Sequence, residues 1–213
     1  MARKLIWSVV VLVGTYILCQ AIADIGATKF VQLGDVVIPG GTFIFAITFT
    51  LRDMIHKRLG KEWAQAAIVT AGGLNILQAG YLWFISKLPS PVFYEHSSAW
   101  ESIFAIVPAI AIGSIAAEVV SELIDTEVYH FWKTKFSNAP QWTRVLVSNA
   151  VSLPVDSLIF ATLAFVILPP LFGENALPFF IALSLTVGQI SWKFFVTIVS
   201  LPMIYFVKDE TMV

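Results

Sequence analysis

Long apolar runs separated by short polar segments set the pattern of this chain. They cover residues 5–23, 38–51, 63–86, 102–124, 145–168 and 178–207, with few or no charged residues in any of them. A helix rising about 1.5 Å per residue crosses a hydrocarbon core of about 30 Å in about 20 apolar residues. The runs therefore predict six transmembrane helices. The second is short and opens at Pro39-Gly40-Gly41, and the sixth is long enough to project from the bilayer. A barrel is excluded, because its strands alternate over only about 10 residues.

The basic residues give the orientation. Arg3 and Lys4 precede the first run, and Arg52, Lys57, Arg58 and Lys61 separate the second and third. Lys133, Lys135 and Arg144 separate the fourth and fifth, and Lys208 follows the sixth. That puts ten of the thirteen on one side. Lys29 and Lys87 lie opposite, and Lys193 sits within a run. Basic loops face the cytoplasm, so both termini are read as cytoplasmic. Arg3-Lys4 and Ala21-Ile22-Ala23 imitate a cleaved leader. The 19-residue run between them exceeds the roughly 7–15 residues of a leader, and it is read as a retained helix.

Composition agrees. Hydrophobic residues make up 58% of the 213 and charged ones 13%, against about 25% charged in soluble domains. A soluble enzyme and a disordered chain are both excluded. The net charge of -1 removes a general grip on nucleic acid. One cysteine, Cys19, allows neither a disulfide nor a thiolate metal cage. No repeat, low-complexity stretch or linker divides the chain, so residues 1–213 are read as one all-α, six-helix transmembrane domain. There is no GxxxxGK[ST], HExxH or GxSxG motif, and His56, His96 and His130 fall in loops or at helix ends. The residues thus point to neither an ATPase, an enzyme, a metal site nor a resident cofactor.

The chemistry lies in the polar residues of the runs. An ionisable side chain at the bilayer centre costs about 2.5–3.5 kcal/mol and marks a functional site by default. Lys193 is near the middle of the sixth run, and Asp156 lies roughly 18 Å beyond Arg144 on the fifth. Similar depth on antiparallel neighbours predicts an ion pair, since either charge alone would be buried without a partner. Polar residues continue each face: Gln189 with Thr186, Thr197 and Ser200 beside Lys193, and Asn149 and Ser152 before Asp156. Asn75 and Gln78 sit three apart in the third run. Glu118, Glu122 and Asp125 end the fourth, and Asp53 closes the second. The substrate-binding set read from this pattern is Asp156, Lys193, Gln189, Asn149, Ser152, Asn75, Gln78, Glu122, Asp125 and Asp53, around a ligand-sized polar hollow near the midplane. Structural ion pairing, interhelical hydrogen bonds and helix capping are the competing roles for these residues.

At these positions the sequence resembles the VUT (vitamin uptake transporter) family. Ala23-Asp24-Ile25-Gly26-Ala27-Thr28-Lys29 is similar to its segment after the first helix, with Asp24 in place of the usual Asn. Phe45, Thr48, Asp53 and Gly60 follow the spacing of a second segment, and Ser121, Asp125 and Tyr129 that of a third. Trp142, Arg144, Ser148, Ser152, Asp156, Ser157 and Phe160 follow a fourth; Lys193, Pro202 and Tyr205 follow a fifth. Lys57 stands where an acid is common, and Leu153-Pro154 replaces a Gln-containing dipeptide.

The resemblance implies inner-membrane uptake of a 7-deazaguanine precursor of queuosine, 7-cyano- or 7-aminomethyl-7-deazaguanine. Asp156 or an acid of the fourth run would accept from the ring's N–H groups. Gln189, Asn149 or Lys193 would donate to its carbonyl, and Trp83, Trp192 or Phe160 would stack on it. The implied partners are that small molecule and the lipid bilayer, without nucleic acid, and a homo-oligomer is compatible with the pattern. The alternative is a substrate-binding membrane subunit that depends on a separate ATPase module.

Overall fold

The computed structural model describes residues 2–136 and 140–206. Val207 and Lys208 lie outside the described residues, as do the side chains of Arg3, Lys4, Lys61, Tyr129, Lys133 and Arg144. The chain forms α1 (Ala2–Gly26), strands β1 (Phe30–Leu33) and β2 (Val36–Pro39), α2 (Thr42–Leu59), α3 (Lys61–Ser86), a short α4 (Ser97–Phe104), α5 (Val107–Lys135), α6 (Gln141–Thr162) and α7 (Phe179–Ser200). A π-helical turn, Leu163–Ile167, extends α6, and a 3-10 turn, Leu201–Phe206, extends α7.

Five segments are long and apolar enough to cross a membrane: Val9–Gly26, Glu62–Ser86, Ser97–Asp125, Val145–Ile167 and Phe179–Met203. The 18-residue α2 is not among them. It packs between α1, α3 and α7, and its C-terminal half carries Arg52, which turns inward and is only 6% exposed. The surface is apolar, with Val69 at 75% and Leu77 at 69% exposure, while Gln20, Asp24, Glu118, Asn149, Asp156, Gln189 and Lys193 are buried. Hydrocarbon outside and polar groups inside is the arrangement a bilayer solvent selects. The protein is an all-α, multi-pass membrane protein.

Two boundaries differ from those expected. The second run does not start a helix at residue 38. Residues 30–39 instead form an antiparallel hairpin pairing Phe30 with Pro39 and Leu33 with Val36. Gly34 at φ 61 makes the two-residue turn with Asp35. The fourth run breaks into α4 and α5 ahead of Pro108, which sits in the first turn of α5 where a missing N–H costs nothing. Pro154 sits inside an unbroken α6, and the local irregularity comes later, at the π-helical turn.

The hairpin reaches back into the bundle. β2 packs on α7, and a Cβ added at Gly188 would lie 2.7 Å from Ile38, Val36 and Val37. Gly188 is nine residues into α7, roughly 14 Å along the helix. Non-helical backbone at that depth persists only where protein covers it, and Ile38 and Pro39 are buried. The crossing of α1 and α2 is closer still. A Cβ at Gly41 would fall 2.0 Å from the Ala23 carbonyl oxygen, so only glycine permits this backbone contact.

Candidate functional site

Two polar layers lie inside the bundle. The upper one centres on the Asp156 and Lys193 carboxylate–ammonium pair, 2.5 Å apart with side chains 1% and 2% exposed. α6 and α7 run antiparallel and deliver the two groups to the same depth, as the helical rise requires. Lys193 Nζ also donates to Ser157 Oγ at 3.2 Å and lies 5.0 Å from the centre of the Phe45 ring. Ser121 donates to Asp156 Oδ1 at 3.3 Å. Both oxygens of Asp156 are therefore engaged.

Facing this pair, α1 presents Tyr16, Gln20 and Asp24 at four-residue spacing, one stripe of a helix. Tyr16 Oη donates to Glu118 Oε1 at 2.6 Å, and Gln20 Nε2 donates to the same oxygen at 2.7 Å. Ser114 hydrogen-bonds the Asp24 carboxylate, yet Asp24 Oδ2 has no partner among the described residues. Across the interior, Gln189 Nε2 is also without a partner among the described residues. Asp24 is 3% and Gln189 1% exposed. A buried polar group without a partner costs about 1–3 kcal/mol, and Asp24 and Gln189 both wall one interior space.

That space is a small cavity walled by Ala23, Asp24, Thr42, Phe45, Ser114, Asp156, Phe160, Gln189 and Lys193. Its volume is about 20 Å³, room for about one water. The ligand-sized hollow expected from the sequence is thus absent in this conformation. Small residues Ala23, Ala27, Gly41 and Ala117 line it, and the buried Lys193 side chain forms part of its wall. A ligand of purine size enters only if the walls part.

The lower layer is ionic. Arg52 sits 3.8 Å from Asp53 and 3.7 Å from Asp125, and Ser152 donates to Asp125 Oδ1 at 3.1 Å. Glu122, on the same helix, acts electrostatically on Arg52. Thr50 and Ser200 hydroxyls meet at 2.6 Å and tie α2 to α7.

Of the residues read from sequence, Asp156, Lys193 and Gln189 come together at the cavity. Asp53, Asp125, Ser152 and Glu122 gather around Arg52. Asn75 and Asn149 are buried but form none of the cavity walls. Gln78 Nε2 donates to the Ala21 carbonyl at 3.1 Å and faces a groove between α1 and α3. Phe160 lines the cavity, whereas Trp192 packs against Phe43 at 4.9 Å and Trp83 is exposed. Asp24 entered the sequence reading only as a motif position. Its stripe with Tyr16 and Gln20 was the signal that could have placed it in the interior.

Comparison with known proteins fits this architecture. Residues 39–207 match the family model described as "Putative vitamin uptake transporter". A Bacillus subtilis (strain 168) protein described as "Probable queuosine precursor transporter" is 29% identical over 192 residues, covering 87% of this chain and 78% of that protein. No solved structure matches.

Proposed function

The chain belongs to the vitamin uptake transporter family, and on that footing we propose that it imports a 7-deazaguanine precursor of queuosine across the inner membrane. The cavity between α1, α2, α5, α6 and α7 is its binding site. The name of the Bacillus relative supports the substrate class. The observation that carries the reading is the facing pair of unpartnered atoms, the acceptor Asp24 Oδ2 and the donor Gln189 Nε2.

A deazaguanine ring supplies what each lacks. Its carbonyl accepts from Gln189 Nε2, and an N–H group of the ring or of its side arm donates to Asp24. Phe45 and Phe160 in the walls are placed for contact with the flat faces. An analogue without the matching groups leaves the two buried atoms unpaired, which discriminates more strongly than shape does. The Lys193–Asp156 pair forms part of the cavity wall. Loading requires the helices to part, and alternating access around a midplane site does this by moving bundle halves against each other.

A thermal-shift series on the purified chain tests the substrate. Guanine, the two deazaguanine precursors, queuine and common vitamins are compared. A ligand that binds only the folded state stabilises it by mass action, so a deazaguanine precursor should raise the midpoint and the vitamins should not. A vitamin that stabilises while both precursors leave the midpoint unchanged refutes the assignment. Uptake into proteoliposomes by this chain alone separates a self-sufficient transporter from a subunit that needs an ATPase module.

A further inference from the structure

We infer that Asp24 makes the cavity select a cationic ligand: a deazaguanine whose side arm ends in a protonated primary amine, over the neutral nitrile. The inference rests on the binding site proposed above and asks which ligand of that class it favours.

The upper layer carries more carboxylates than cations. Asp24, Glu118 and Asp156 are all buried there, and Lys193 is paired with Asp156 at 2.5 Å. Arg52 below is shared between Asp53 and Asp125. Glu118 is satisfied by neutral donors, the Tyr16 hydroxyl and the Gln20 amide. Asp24 has one neutral donor, Ser114, and no cation within salt-bridge distance among the described residues. Its second oxygen accepts from nothing among the described residues, and Asp24 is one of the cavity walls. What the layer lacks is therefore a positively charged donor at Asp24 Oδ2.

The two precursors differ at this point. An ammonium brings charge and several N–H donors to the unpartnered oxygen, and charge-assisted hydrogen bonds are about twice as strong as neutral ones. A nitrile nitrogen is an acceptor and would set two acceptors face to face. The rest of the ring is common to both, so Gln189 and the aromatic walls contribute equally to each. Preference for the amine is worth one charged hydrogen bond, roughly 10- to 100-fold in affinity.

The test is calorimetric titration of the full chain, purified in detergent, with 7-aminomethyl- and 7-cyano-7-deazaguanine at neutral pH. Wild type should bind the amine roughly 10- to 100-fold more tightly. Asp24→Asn, which keeps size and removes charge, should bring the two affinities together by weakening the amine alone. Asp24→Glu keeps the charge and should keep the order of preference, which provides a reading if Asp24→Asn does not fold. Equal binding of the two by wild type, or a preference for the nitrile, overturns the inference and leaves the deazaguanine assignment standing. Binding of neither by wild type removes the assignment itself, and the inference with it.

Discussion

Replacing Lys193 by Met keeps most of the side-chain volume and strips the ammonium from Asp156. The carboxylate is 1% exposed and loses its 2.5 Å partner. Ser121, at 3.3 Å from the other oxygen, remains as a neutral donor and does not compensate. Breaking a buried pair from one side costs about 3–5 kcal/mol, while replacing both partners with packed apolar groups is neutral or stabilising by about 1–4 kcal/mol. Lys193→Met should therefore destabilise the folded bundle by about 3–5 kcal/mol, and Asp156→Leu should do so comparably by stranding the ammonium beside Ser157 and Phe45.

The double variant should regain most of that loss. Reversible unfolding of purified protein by sodium dodecyl sulfate, followed by circular dichroism, measures all four corners of the cycle. Uptake is the second readout, and it should stay abolished in the double variant even when stability returns. Two results would refute the reasoning. One is additive destabilisation in the double variant, which means the groups do not interact. The other is full transport by the double variant, which makes the pair purely structural.

Three further outcomes follow from the geometry. Gln189→Met removes the unpartnered donor while leaving the helix intact, and ligand affinity measured by titration should fall roughly tenfold or more, with stability unchanged or improved. Gly41→Ala drives a methyl group toward the Ala23 carbonyl and should cost about 1–3 kcal/mol by thermal unfolding; Gly73→Ala, with nothing within 4 Å of the added atom, should be neutral and serves as its control. If the cargo carries an ammonium, each import event moves one positive charge. A potassium diffusion potential in proteoliposomes, negative inside, should then raise accumulation of the amine roughly 50-fold per 100 mV, and a flat response contradicts a charged cargo.

Lys193 and Asp156 were legible because a charge inside an apolar run is costly enough to demand a partner, and helical rise fixes depth from residue number. Gln189 followed from sharing a helical face with Lys193. Spacing shows which residues share a face but not what the face meets. Asn75 and Gln78 sit three apart, yet Gln78 ends against the Ala21 carbonyl beside a groove between α1 and α3.

Asp24 was hidden by its position at the end of an apolar run, where a charge is cheap. The close crossing of α1 with α2 at Gly41 and the approach of Ser114 from α5 make it interior. The hairpin had its own signal, Gly34-Asp35 between two four-residue strands, of which only Ile38 and Pro39 fall inside the second apolar run. Cavity size was not legible at all, since it depends on how Lys193, Phe45 and the small residues of α1, α2 and α5 pack together.

The most direct measurement is a structure of the chain in a lipid nanodisc with the precursor that gives the largest thermal shift. The account places the ring between Phe45 and Phe160, its carbonyl at hydrogen-bond distance from Gln189 Nε2 and a ligand nitrogen at Asp24 Oδ2, with the cavity widened around it. Ligand density elsewhere, or a ring in this cavity that leaves both of those atoms without a partner, would contradict it.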